Sequence, residues 1–191
     1  MNREKAYQIL TKYLQNKNLI KHCLACEAVM KALARKLEIR NSKSEINEHA
    51  WGIVGLLHDA DYELSKGHPE KHGILLFQKI PNTIPEDIAH AIKSHNYENT
   101  KVMPQSLMDW AITCCDQLTG LIVACVLVHP DKKLASLTPE FILKRMKEKS
   151  FAKGAERKPI LMCEEKLGIP LKDFVGINLK AMQSVNKELG L

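Results

Sequence analysis

Aromatic residues are scarce in this chain: they make up 5% of its 191 residues. Surfaces that bind single-stranded nucleic acid commonly stack bases on aromatic side chains, so this scarcity argues against such a surface. The net charge of +6 is also concentrated, because residues 132–158 hold nine Lys or Arg against three Glu. We therefore expect an anionic small molecule or a short polyanion as partner, and nucleic acid is not expected.

No apolar run is long enough to span a bilayer. The longest, residues 118–128, predicts a buried core helix, so no membrane partner is expected. The N-terminal residues are charged and polar and do not resemble a signal peptide. We therefore expect a cytoplasmic protein with reduced cysteines.

The chain has a single C-x-x-C pair, Cys23 and Cys26. Zinc sites of this type usually need a second pair, and the remaining cysteines are not spaced to provide one. Small apolar core cysteines are therefore the favoured interpretation over zinc ligands. The other four cysteines are Cys114, Cys115, Cys125 and Cys163.

Apolar residues recur at helical spacing, and no segment alternates convincingly with period two. The pattern predicts helices over about 2–14, 19–37, 44–59, 69–80, 85–95, 106–128, 140–149, 157–167 and 173–189. Ser44 is a plausible N-cap for the third of them. The expected architecture is an all-α helical bundle. The length fits one domain, with a core over about 19–130 and a C-terminal helical extension over 138–191.

Several potential metal ligands lie on, or at the ends of, separate predicted helices. His22 and His95 are on apolar faces, whereas His90 falls off the apolar face and is expected at the surface. A single His on an apolar face is more often a satisfied core residue than a ligand. Asp116 is more informative, because it interrupts an apolar helix and no Lys or Arg lies within one turn of it. A buried carboxylate needs a cation, a metal or a proton.

The order H…HD…H…H…D resembles the HD superfamily of metal-dependent phosphohydrolases. Residues 56–63 (LLHDADYE), 69–76 (PEKHGILL), 91–96 (AIKSHN), 116–121 (DQLTGL) and 151–165 (FAKGAERKPILMCEE) look like one branch of predicted HD hydrolases. The resemblance implies an HD-domain helical bundle. It places the family's core metal ligands at four positions: His22, His58, Asp59 and Asp116.

Branches with two metals add two histidines, which match His72 and His95. These two residues either ligate a second metal or contact the phosphoryl oxygen as hydrogen-bond donors. Mixed imidazole and carboxylate ligands favour Mn²⁺, Fe²⁺, Co²⁺ or Ni²⁺, with Mg²⁺ and Zn²⁺ also possible. The branches that hydrolyse cyclic dinucleotides often have a His-His pair where this chain has His95-Asn96, which disfavours that substrate. A nucleotide anhydride remains a reasonable alternative.

The predicted function is therefore a metal-dependent phosphohydrolase, a phosphatase or phosphodiesterase acting on a nucleotide or small phosphoester. A metal-activated water would attack phosphorus, and Asp59 or Asp61 could accept its proton. For Asp61 the alternative is a solvated loop carboxylate. Lys153 and Arg157 are candidates for binding phosphate, with a solvated helix face as the alternative. The rival function is a non-catalytic HD domain that binds a nucleotide or partner and keeps a structural metal.

Overall fold

The computed structural model describes residues 1–40 and 46–191. Regular secondary structure within these residues is entirely helical, which confirms the predicted all-α class. The α-helices are α1 (Arg3–Tyr13), α2 (Lys17–Arg40), α3 (Glu48–Leu57), α4 (Leu75–Lys79), α5 (Glu86–Ser94), α6 (Tyr97–Thr100), α7 (Leu107–Val128), α8 (Pro139–Met146), α9 (Arg157–Leu161), α10 (Cys163–Leu167), α11 (Leu171–Ser184) and α12 (Asn186–Leu189).

Helices α2 and α3 lie backbone against backbone. A Cβ added to Gly55 of α3 would be 2.5 Å from the carbonyl oxygen of Cys26 on α2, so only glycine permits this approach. Asn47 caps α3 by accepting a hydrogen bond from the backbone N–H of Ala50. Ser44, the predicted cap, lies outside the described residues. The close contact brings the C-terminal end of α3 next to the first turns of α2.

Helix α7 passes through the core. Among the described residues it alone is long and apolar enough to cross a membrane, yet most of its apolar stretch is buried against other helices, as predicted for a core helix. Ser106 and Asp109 form a capping box at its start. Asp109 also binds the Nδ1 of His90 at 2.9 Å, so His90 is partly buried and joins α5 to α7. The predicted surface position is only partly right, since 26% of the side chain is exposed.

The helix predicted over 69–80 is interrupted at Gly73. A 3₁₀ turn covers Pro69–Lys71, and α4 begins only at Leu75. Gly73 has a φ of +85°, which is left-handed and cannot continue a helix. Its N–H instead donates to the carboxylate of Asp61 at 2.9 Å. The turn frees His72 from helical geometry and directs it toward the site described below.

The C-terminal helices are also shorter than predicted. The segment 157–167 is divided at Met162 into α9 and α10, and 173–189 is divided at Val185 into α11 and α12. Helix α11 packs against α2, α7 and α8, so residues 138–191 contact the core directly. The division into a core at 19–130 and an extension stays a prediction. All six cysteines are free and buried, as expected.

Candidate metal centre

The structure brings the six predicted ligands into one cluster from separate parts of the fold. His22 comes from the start of α2, His58 is the C-cap of α3 and His95 is the C-cap of α5. Asp116 lies midway along α7, Asp59 follows His58, and His72 lies in the turn before α4. The positions of the helix ends matter because His58 and His95 each stand directly after the last helical residue, from where the side chain can point into the bundle. The cluster therefore depends on where these helices begin and end.

The ligand atoms form two adjacent groups, within each of which all of them lie within 4.8 Å of one another. The first group consists of His22, Cys26, His58 and Asp116, and the second of Asp59, His72 and His95.

In the first group, His22 Nε2 is 3.2 Å from His58 Nε2 and 2.9 Å from Asp116 Oδ1. In the second, His72 Nε2 is 3.1 Å from Asp59 Oδ1. Asp59 joins the groups, because its other oxygen, Oδ2, is 3.6 Å from His22 Nε2.

Two of the imidazoles are oriented by carbonyl groups of their own helices. The Nδ1 of His58 is 2.9 Å from the carbonyl oxygen of Gly55, three residues earlier. The Nδ1 of His95 lies against the carbonyl oxygen of Ile92 in the same way. A carbonyl oxygen can only accept, so each Nδ1 carries the hydrogen. The Nε2 of each ring is then free to present its lone pair to the cluster.

The other two imidazoles are oriented by side chains. The Nδ1 of His72 donates to Asp61 Oδ1 at 2.9 Å. The Nδ1 of His22 is 3.2 Å from Thr119 Oγ1, and that hydroxyl donates to the backbone oxygen of Asp116 at 2.7 Å. Because the hydroxyl hydrogen is already used, Thr119 must accept from His22. These bonds are of the kind that orient histidine ligands around a metal.

The four Nε2 atoms therefore meet with their lone pairs facing one another. His72 Nε2 and His95 Nε2, for example, are 3.1 Å apart. Such an arrangement needs a cation between the rings, either a metal or protons. Burial opposes protonation of His72, but hydrogen bonds to Asp59 and Asp61 outweigh it and raise the pKa of His72 to about 10. Burial, together with the charges of His72 and His58, lowers the pKa of His95 to about 4.

The cluster forms the floor of a cavity of about 530 Å³. Besides the ligands, the cavity is lined by residues from α2, α7 and three loops: Leu19, Tyr62, Asn96, Gln117, Gly120, Ala152, Gly154 and Ala155. Tyr62 is 50% exposed and meets the ring of His72 edge to face, with the centroids 5.3 Å apart. His58 and Cys26 do not line the cavity and lie behind its floor. The volume is in the range of small-molecule sites.

A family model described as the HD domain matches residues 19–121, more than half of the chain. The chain belongs to the HD-domain family. No curated protein and no solved structure matches it. Members of the family bind divalent metals, and most are metal-dependent hydrolases. All six predicted ligands lie inside the matched segment, whereas the cavity wall at 152–155 lies outside it.

The structure supports neither interpretation of Asp61 from the sequence, a proton acceptor or a solvated loop carboxylate. Asp61 is 1% exposed, so the solvated-loop interpretation is wrong. Its carboxylate accepts from His72 Nδ1 and from the backbone N–H groups of Gly73 and Leu76. Burial raises its pKa, but these hydrogen bonds outweigh burial and hold the pKa below the usual value. The geometry gives Asp61 a positioning role toward His72 in place of the predicted proton acceptor.

Arg157 was predicted to contact phosphate, but it does not line the cavity. Its guanidinium instead donates to backbone oxygens in and beside the loop at 151–155. The acceptors are Met146, Phe151, Ala152 and Ala155. Lys153 is exposed on the same loop and is not among the residues that line the cavity. The part of this basic segment that reaches the cavity is the loop backbone and its small side chains.

Sequence reasoning missed two amides that follow ligands directly. Asn96, after His95, donates through Nδ2 to the carbonyl oxygens of Pro69 and His72 and so holds the turn that carries His72. Gln117, after Asp116, donates to Asp116 Oδ2 and accepts from the backbone N–H of Glu156, both at 2.9 Å. An Asn or Gln directly after a predicted ligand can be seen in the sequence. The group to which its amide is hydrogen-bonded cannot.

Proposed function

We propose that this HD domain is a metal-dependent phosphohydrolase that acts on a nucleotide or another small phosphoester. The observation that carries the proposal is the convergence of four Nε2 lone pairs with two carboxylates on the floor of the cavity. All four Nδ1 atoms are already engaged, so the Nε2 atoms are left for a cation. The ligand set fits a divalent transition metal by its chemistry.

Two metals are favoured over one. The first group would hold one ion through His22, His58 and Asp116, and the second would hold another through Asp59, His72 and His95. Asp59 is placed to serve both, because its Oδ2 is 3.6 Å from His22 Nε2 of the first group and its Oδ1 is 3.1 Å from His72 Nε2 of the second. A divalent cation held there supplies Lewis acidity, which makes water more acidic and neutralises charge on phosphoryl oxygens. Mn²⁺, Fe²⁺, Co²⁺ and Ni²⁺ suit this ligand set, and Mg²⁺ and Zn²⁺ are further candidates.

The protein's own groups bind and orient the substrate. Asp59 is the carboxylate nearest to both groups and is the proposed acceptor of the water proton. The half-exposed ring of Tyr62 offers a flat apolar surface for the organic part of the substrate. Ala152, Gly154 and Ala155 form part of the cavity wall and so restrict the shape of the molecule that fits.

The test is a comparison of the metal-free and reloaded protein on a panel of nucleotides, phosphomonoesters and phosphodiesters. Chelation should abolish hydrolysis, and Mn²⁺, Co²⁺ or Ni²⁺ should restore it. Full turnover by a chelated sample with no measurable metal would overturn the metal mechanism. A metal-loaded protein that binds nucleotides but hydrolyses nothing on the panel would support the rival function, a non-catalytic HD domain with a structural metal.

A further inference from the structure

Cys26 lies one helical turn after His22 on the same face of α2. Its Sγ is 3.7 Å from His22 Nε2 and belongs to the first group of potential ligands. The five other cysteines lie within the described residues and belong to neither group. The sequence favours a core cysteine at this position. The position of Cys26 behind the floor of the cavity therefore needs its own explanation.

Two distances from His22 Nε2 in the first group are close to those between ligands of one small ion. With metal–nitrogen bonds of about 2.0–2.1 Å and metal–sulfur bonds of about 2.3 Å, a tetrahedral ion separates two nitrogens by about 3.3 Å and nitrogen from sulfur by about 3.6 Å. The observed separations are 3.2 Å from His22 Nε2 to His58 Nε2 and 3.7 Å from His22 Nε2 to Cys26 Sγ. From His58 Nε2 to Asp116 Oδ1 the distance is 3.6 Å, and from His22 Nε2 to Asp116 Oδ1 it is 2.9 Å, so this last pair would have to separate around an ion. All four ligand atoms lie within 4.8 Å of one another.

We propose that Cys26 is a metal ligand, so that the first group offers an ion a thiolate besides its two imidazoles and the carboxylate of Asp116. A soft thiolate favours Zn²⁺ or Co²⁺ over Mg²⁺ and Mn²⁺. As the ion binds, the thiol proton leaves to solvent and a metal–sulfur bond forms. The inference rests on the proposed metal centre and adds a ligand and a selectivity to it.

The competing role for Cys26 is that of a buried thiol bonded to Thr119. Its Sγ is 3.4 Å from Thr119 Oγ1, a distance that suits a weak S–H···O hydrogen bond. A thiol in that role would leave the metal with nitrogen and oxygen ligands only. The two roles predict different spectra for the cobalt-loaded protein.

The test is the near-ultraviolet absorption of the full chain loaded with Co²⁺. The expected result is a thiolate-to-cobalt charge-transfer band that is absent from Cys26→Ser and retained by Cys23→Ser. Cys23 is the matched control because it is equally buried on the same helix and lies outside the ligand group. Zn²⁺ affinity should fall at least about 10-fold in Cys26→Ser. The Mn²⁺ affinity of the second group should change much less.

The wild-type spectrum decides the matter even if Cys26→Ser does not fold. Wild-type protein that binds Co²⁺ without the charge-transfer band would show that Cys26 is not a ligand, and the proposed metal centre would stand. A band that persists in Cys26→Ser would also overturn the inference. Protein that binds no divalent metal would overturn both the inference and the proposed function. X-ray absorption of the zinc-loaded wild type gives an independent check, since a sulfur neighbour at about 2.3 Å is expected.

Discussion

The hydrogen on each Nδ1 determines what the four imidazoles can bind. Backbone oxygens fix it on His58 and His95, Asp61 fixes it on His72, and Thr119 fixes it on His22. The rings are therefore held in one orientation, with each Nε2 toward the cluster, before any metal arrives. Preorganisation of this kind lowers the cost of binding. Two predictions belong to this scale.

Asp116→Asn should remove metal from the first group at nearly unchanged side-chain volume. Oδ1 of Asp116 lies against both imidazoles of that group, and an amide is a much poorer ligand than a carboxylate. Metal affinity should fall at least about 10- to 100-fold, as measured by metal analysis and calorimetry. Asp131→Asn, which changes an exposed carboxylate, is the control and should bind metal like the wild type. Equal metal content in both variants would contradict the assignment.

Metal binding should expel protons from the site. Because the pKa of His72 is raised to about 10, its ring is a positively charged imidazolium at pH 8 in the metal-free protein, with a hydrogen on both nitrogens. That protonation stabilises the metal-free fold fully below the ordinary His pKa of about 6.5, and the contribution is lost as pH rises through about 10. Since a metal needs the same lone pair, at least about one proton should be released per protein at pH 8.

The measurement is calorimetry in buffers of different ionisation enthalpy. His95 should release none, because its pKa of about 4 leaves the ring neutral at that pH. Binding without proton release would show that His72 does not ligate the metal or is neutral beforehand.

At the scale of secondary-structure elements, the turn at Gly73 matters most. The sequence predicts one helix over 69–80 because its apolar residues recur at helical spacing. That spacing does not reveal that Gly73 adopts a left-handed backbone conformation. The contact that decides the break is the hydrogen bond from Gly73 to Asp61, which lies twelve residues earlier. The helices with strong apolar stripes, α1, α2, α5 and α7, were predictable because burial of one face determines them.

Gly73→Ala should damage both stability and the second metal group. Its φ is +85°, and the new Cβ would lie 3.0 Å from the carbonyl oxygen of Ile92 and 3.3 Å from His95 Cε1. Gly67→Ala is a matched control, because it has a φ of +82° and open space around the Cβ position. Both variants should lose about 1–2 kcal/mol of unfolding free energy to backbone strain.

Only Gly73→Ala should weaken metal binding, because only there does the new Cβ press on a ligand. Denaturant unfolding and metal titration of the two variants measure the two effects separately. Equal metal affinity in the two variants would show that the turn does not position the second group.

At the scale of the whole molecule, the cavity joins two parts of the chain. The six ligands lie at positions 22–116, and part of the wall comes from 152–155. Gln117 connects them, since its amide reaches Asp116 Oδ2 on one side and the N–H of Glu156 on the other. The sequence singles out the six candidate ligands by their types and by the family resemblance, and the structure brings them together. The roles of Cys26, Gln117 and Arg157 could not be predicted, because each depends on a contact that only the folded chain creates.

Arg157→Ala should lower kcat/KM while the metal content stays that of the wild type. The guanidinium donates hydrogen bonds to four carbonyl groups in and near the loop at 151–155. Without these hydrogen bonds the loop, which forms part of the cavity wall, is no longer held in place. A misplaced wall should cost about 10- to 100-fold in kcat/KM. Arg157→Lys should not rescue it, because an ammonium group cannot span the same set of acceptors.

Lys158→Ala removes a neighbouring exposed cation that pairs with Glu98, so it is the control for charge alone. It should leave the kinetics unchanged. A loss in Lys158→Ala as large as that in Arg157→Ala would show that net positive charge, and not loop position, is what the substrate requires.

The wall at 152–155 comes from a stretch that supplies none of the six ligands. Mutations there can change which molecules fit the cavity without touching the atoms that would carry out the chemistry. Under the proposed function, substrate preference could then be changed separately from the metal ligands. A library confined to this loop would be a direct way to redesign the one while keeping the other.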